Sequence, residues 1–161
     1  MKTVSDMLDA DMKFIRLYQF MMLPGTQSTT TESRKKWEYM TRYRGLPRCF
    51  GEYSILGKKF PVAEIEEICV ANTTMPYEAY QECRKFDLTV EIFNNDSILA
   101  DLMGFLRRYN IKRSDFIKEV HELSINDPVF SKFYEEFNAE EKKNLSSEPK
   151  KLEKFTREPG V

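Results

Sequence analysis

Cysteine, histidine and tryptophan are scarce in this sequence, and no apolar run approaches the length of a membrane span. The three cysteines, Cys49, Cys69 and Cys83, are widely and unevenly spaced. That excludes a dense secreted disulfide framework and matches none of the compact patterns that hold iron-sulfur centres. Each is expected to be a small buried apolar residue. The single histidine, His121, has no companion at metal-ligand spacing, so it reads as a surface or half-buried helix residue. Glycine-rich phosphate loops and hydrolytic nucleophile elbows are missing: there is no G-x-G-x-x-G, no P-loop and no G-x-S-x-G. A secretory apolar core and an internal repeat are also missing, and the expectation is a soluble cytoplasmic protein. Charge of one sign is lacking too. The 25 basic and 26 acidic residues leave a net charge of -1, which argues against global attraction to nucleic acid or membrane.

What is present fits one domain: 161 residues and 19.1 kDa can bury a core, but not a whole barrel plus a second large domain. Leu17 to Leu23 is a mostly apolar run that stops at Pro24-Gly25, which predicts a strand buried on both faces. Thr29 with Glu32 makes a capping box for a helix from Thr31 to Tyr43. Strand, turn and helix together predict one βα unit of a parallel sheet, whose ligands sit at the carboxyl ends of strands. Leu23, Pro24, Gly25 and Thr26 are then a candidate ligand rim, the alternative being an ordinary tight turn.

Between Arg34 and Arg48, Arg34, Lys35, Lys36, Arg42, Arg44 and Arg48 stand against one acid, Glu38, among Trp37, Tyr39 and Tyr43. Two readings stand: a nucleic-acid patch, or a solvated helix face with its aromatics in the core. Arg44 and Arg48 also suit a carboxylate or phosphate on a substrate or cofactor, or pairing with local acids. Residues 45 to 61, rich in Gly and Pro, predict a loop with a short hairpin at Gly57-Lys58. Ile65 to Ala71 reads as helix or short strand, leaning to helix, with Glu66 and Glu67 solvated and pointing apart. Pro76 opens a helix that Asn94-Asn95-Asp96 breaks. Ile98, Leu99, Leu102, Met103, Leu106 and Tyr109 predict an amphipathic helix, started by Asp96 or Ser97 and stopped by Asn110, with Leu102 and Leu106 in the core. Further helices start at Ser114, burying Phe116, Ile117, Val120 and either Leu123 or Ser124, and at Asp127-Pro128, with Phe130, Phe133, Tyr134 and Phe137 on one side. From Asn138 the charged sequence predicts a disordered tail.

Several short pieces in one order carry a resemblance: Tyr18-x-Phe20-x-x-Leu23-Pro24-Gly25-Thr26, Glu32-Ser-Arg34, and Thr41-Arg-Tyr-Arg44-x-x-Pro47-Arg48-x-Phe50-Gly51-x-Tyr53. Glu66-Glu-Ile-Cys-Val70, Thr73-Thr-Met-Pro-Tyr77-Glu-x-Tyr80 and Arg84-x-x-Asp87-Leu88 continue the series. Over roughly residues 1 to 93 the chain resembles the C-terminal part of cobalamin (B12)-binding radical S-adenosylmethionine (SAM) enzymes. The family's CxxxCxxC loop, which gives three thiolates to a [4Fe-4S] cluster, is absent.

The resemblance implies an α/β to mostly α chain: 1–45 the terminal helix-strand-helix of a partial (β/α)6 barrel, 46–93 a family-like extension, 94–137 a helical cap and 138–161 the disordered tail. It implies a C-terminal fragment or subunit of a cobalamin-dependent radical SAM enzyme, not catalytic alone. Leu23 to Thr26 would be a SAM rim, and Arg44 and Arg48 would touch the substrate. This chain alone would bind no cofactor or metal, with SAM, the iron-sulfur cluster and cobalamin implied for the complete enzyme. The partner implied is an upstream radical SAM/cobalamin-binding portion, in cis or in trans, with self-association when the chain is alone. The rival reading is a non-enzymatic helical protein-interaction module.

Overall fold

A computed structural model describes residues 2–155, with the side chains of Pro47, Arg48, Phe50 and residues 153–155 outside the description. The fold is mixed α/β with an open sheet, and no helix among the described residues is long and apolar enough to cross a membrane. The chain divides into two compact units, Met1–Tyr18 with Gln81–Ala139, and Gln19–Tyr80 with Glu140–Val161.

The first unit is helical. Its elements are α1 (Lys2–Asp9), most of α3 (Tyr77–Phe93), α4 (Ala100–Arg108), α5 (Arg113–Asn126) and most of α6 (Phe130–Lys143). Val4, Leu8, Ile15, Phe86, Val90, Met103 and Ile117 form its core. The helix stops have local causes. Asn95 turns its side chain onto both backbone groups of Ile15, and Asp96 and Ser97 take left-handed backbone after α3. Asn110, also left-handed, ends α4 as its sequence predicts. Asp127 accepts the N–H groups of Val129 and Phe130 at the start of α6.

Side-chain placement departs from expectation in several places. The buried residue of α4 is Met103, with Leu99 and Leu106 packed beside it, while Leu102, Ile98 and Tyr109 are exposed. A stripe of six apolar positions is wider than the contact this short helix makes, so its flanks face solvent. Likewise Tyr134 is buried in α6 and Phe130 and Phe133 are exposed. His121 is buried, not superficial. Its Nδ1 lies 2.7 Å from Thr89 Oγ1 on α3, which in turn meets the Tyr134 hydroxyl at 2.8 Å, so a hydrogen-bonded partner makes its burial tolerable. Cys83 is exposed and Cys49 half-buried; only Cys69 is buried as expected.

The second unit holds an antiparallel sheet in the order β1-β3-β2, made of β1 (Phe20–Met21), β2 (Met40–Ile55) and β3 (Lys58–Ala71), with α2 (Thr31–Trp37) and α7 (Pro149–Phe155). Here the predictions need most correction. Leu17 to Leu23 is not a strand buried on both faces: β1 has two residues, both exposed, paired antiparallel to Cys69 and Ile68. Tertiary pairing with β3 captures only the part of the run that lies alongside it.

The helix predicted to reach Tyr43 ends at Trp37, because Glu38 adopts left-handed backbone and Met40 enters β2. Its cap is Thr30, whose side chain accepts from the Ser33 N–H, not Thr29. The predicted loop at 45–61 and the helix or strand at 65–71 are the two arms of one long hairpin, with Leu56-Gly57 as its two-residue turn. Both turn residues have positive φ, which matches the twist of the strands. The strands therefore outrun their Gly and Pro residues, and the register slips between Gly45 and Phe50. The predicted tail also folds in part. α6 runs to Lys143 and α7 follows, whereas 156–161 lie outside the described residues.

Candidate functional site

Leu23-Pro24-Gly25-Thr26 is a tight turn closed by the Thr26 N–H on the Leu23 carbonyl at 3.2 Å. Proline at the second place and glycine with φ +83° at the third are the residues a type II turn demands. A Cβ built on Gly25 would meet nothing within 4 Å, so this glycine serves the turn and not a close approach inside this chain. Thr26 Oγ1 adds a second bond to the Leu23 carbonyl at 2.7 Å.

Beside the turn lies a cleft of about 550 Å³. Met21, Met22, Leu23 and Pro24 form one wall, Tyr43 and Leu46 from β2 and Glu64 to Glu67 from β3 form the other, and Pro149 closes one end. The Met22 N–H donates to the Glu67 carbonyl at 2.8 Å and joins the two walls. Ser146 and Tyr43 exchange backbone hydrogen bonds at 2.8 Å each, which ties the segment before Pro149 to the outer edge of β2. Of the predicted rim, Leu23 and Pro24 line this cleft; Gly25 and Thr26 shape the turn next to it.

Two ion pairs brace the sheet. Arg34, reaching from α2, grips Glu67 with both terminal nitrogens at 2.8 and 2.7 Å, and its Nε donates to the Thr29 carbonyl at 3.2 Å. This fork geometry holds the Glu67 carboxyl below its usual range, through the hydrogen bonds from Arg34 first. Arg44 pairs with Glu66 directly across the β2–β3 ladder. Glu66 and Glu67 point to opposite faces as expected, yet they are paired and largely covered, not solvated.

Arg44 is thus bound to a carboxylate of its own chain, while the Arg48 side chain lies outside the described residues. The wider basic stretch is similarly engaged in part: Lys36 sits over the Trp37 ring at 5.3 Å, and Trp37 is exposed, not in a core. Glu64, which also lines the cleft, is exposed and makes no ion pair with another described residue.

Sequence reading missed the acid wall, Tyr43, Leu46 and Pro149. The signal lay in register: Ile65, Glu66 and Glu67 stand opposite Gly45, Arg44 and Tyr43, a pairing that is legible only once the hairpin is known. Among the described residues no group of three or more His, Cys, Asp or Glu is placed to hold a metal ion. No family model and no curated protein matches the chain.

Proposed function

We propose that this chain forms the last wall of the cavity and the helical cap of a cobalamin-dependent radical SAM enzyme. One observation carries the reading. Three separated pieces of the resemblance converge on one cleft: Leu23-Pro24 from one, Tyr43 from the next and Glu66-Glu67 from a later one, with Arg44 paired to Glu66. Arg34 of a further piece braces the same place through Glu67.

β1 adds support. It is the terminal strand of the sheet, with one neighbour, and Phe20, Met21 and Leu23 are exposed around it. Such an edge is suited to pair with a strand of an upstream portion.

The residues of this chain do not fit a cluster. Cys69 donates its thiol proton to the Ala71 carbonyl, and burial pushes that thiol up, away from the thiolate that iron requires. In this reading the cluster, SAM and cobalamin are held by the upstream portion. The present residues contribute apolar cover from Met21, Leu23 and Pro24, exclude water, and fix the wall through the Arg34–Glu67 and Arg44–Glu66 pairs.

The test is a SAM titration of this chain co-expressed with an upstream portion that carries CxxxCxxC. Gly25→Val, which forces a branched side chain into left-handed backbone, should weaken SAM binding and leave iron content unchanged. An upstream portion that binds SAM equally well with and without this chain would overturn the reading.

A further inference from the structure

Half of the β2–β3 hairpin carries an apolar face that is exposed among the described residues. The pairs Ile55↔Lys58, Tyr53↔Phe60 and Gly51↔Val62 put Tyr53, Ile55, Lys58, Phe60 and Val62 on one side of the ribbon. Glu52, Ser54 and Lys59 take the other side, where Lys59 and Glu52 pair at 2.8 Å. Every apolar side chain of the first side is exposed. At the tip, Leu56 is 98% exposed in left-handed backbone, φ 51°, where asparagine or glycine is the ordinary occupant of such a turn. A two-stranded ribbon with a bare apolar face is marginal by itself, so a covering surface would stabilise it.

The same alternation along β3 gives Lys58, Phe60, Val62 and Glu64 on one face: a cation, two apolar side chains and an anion. Lys58 and Glu64 have no ion-pair partner among the described residues and stand about 20 Å apart, too far to meet each other. Turned by a two-fold axis at Pro61, this order reads onto itself. Lys58 then faces Glu64 of a second copy, and Phe60 faces Val62, in both directions at once. Self-complementarity of this kind is what a closed two-fold interface requires. Pairing edge to edge is disfavoured by the lysine and proline on β3, which leaves packing face to face. The axis also carries Leu56, five residues before Pro61, to the level of Glu66 in the second copy.

We infer that the hairpin face is a homodimer interface: two copies pack their Tyr53, Phe60 and Val62 faces antiparallel, each Lys58 lies on the other's Glu64, and each Leu56 reaches the level of the other's Glu66. This goes beyond the enzymatic reading and does not depend on it.

Sedimentation equilibrium of the full chain tests it. Wild type should show twice the 19.1 kDa monomer mass. Lys58→Glu and Glu64→Lys should each weaken association by about tenfold or more, since every reversal acts twice across the axis. The Lys58→Glu/Glu64→Lys double variant should restore the dimer, which a folding defect could not do. Leu56→Asn suits the turn, so it should keep the circular dichroism of wild type while weakening the dimer. A wild-type monomer at about 50 µM overturns the inference, as does a dimer indifferent to both reversals or unrestored by the double variant.

Discussion

In the helical unit Leu8, Val90 and Ile117 are fully buried and meet one another across α1, α3 and α5; in the sheet unit the core shrinks to Ile68, Val70 and Tyr80, and charged pairs brace what surrounds it. One unit is held mainly by apolar area, which strand register does not disturb. The other depends on Arg34 meeting Glu67 and Arg44 meeting Glu66, contacts that exist only in one strand register and one protonation state. The difference also locates function. The helical unit keeps a cleft of about 310 Å³ beside Leu8 and Met103, whereas the sheet keeps one of about 550 Å³, an open edge at β1 and an exposed apolar hairpin face.

The largest expected effect lies in the helical core. Ile117→Ala should destabilise the protein by roughly 2–5 kcal/mol in a chemical-denaturation series, and Met103→Ala should fall in the same range. Leu102→Ala, one position away but exposed, should cost under about 1 kcal/mol. Equal losses at Leu102 and Met103 would show that α4 is rotated from the orientation described.

Glu67→Gln comes next and probes the sheet. It removes one charge from a two-pronged pair that is partly exposed, so the loss should be about 1–2 kcal/mol. The Glu67 carboxyl is held below its ordinary 4.5, so its contribution is complete above that value and disappears as pH falls through the lower folded one. In the helical unit burial holds His121 below its ordinary 6.5. Its contribution has the same sign in a higher window, present above 6.5 and lost as pH drops through the folded value. Stability measured against pH should therefore fall in two steps. His121→Gln should flatten the upper step, and Glu67→Gln should reduce the lower one, which Asp9 and Asp11 of the helical unit share; a profile unaffected by either variant would contradict both assignments.

The smallest effect should be a gain. Leu56→Asn places a residue that accepts left-handed backbone in the two-residue turn, and should add roughly 0.5–1 kcal/mol to a monomer. Thermal denaturation at low concentration measures it.

The helices were largely legible because a period near 3.6 places neighbours in sequence on one face: α3 after Pro76, α4 before Asn110 and α5 around Ile117 follow the pattern of their apolar residues. What periodicity does not fix is how wide the covered stripe is, and Leu102 and Phe133 fell on its uncovered flank. The hairpin was hidden for a different reason. Gly45, Pro47, Gly51 and Pro61 look like loop punctuation, and Trp37, Met40 and Tyr43 fall by chance at helical spacing. The bonds that decide the matter join residues 22 and 33 positions apart, Arg44 with Glu66 and Arg34 with Glu67, beyond any local window. Of the candidate site, the turn at Pro24-Gly25 could be read from two residue types, whereas its facing wall required the strand register.

Hydrogen exchange of this chain, with and without an upstream portion carrying CxxxCxxC, tests the central claim most directly. If the segment from Phe20 is the edge that such a portion pairs with, the amides from Phe20 to Thr26 gain protection in the complex, while those of α5 keep the protection they have alone. Unchanged exchange from Phe20 to Thr26 in a mixture with that portion would contradict the account.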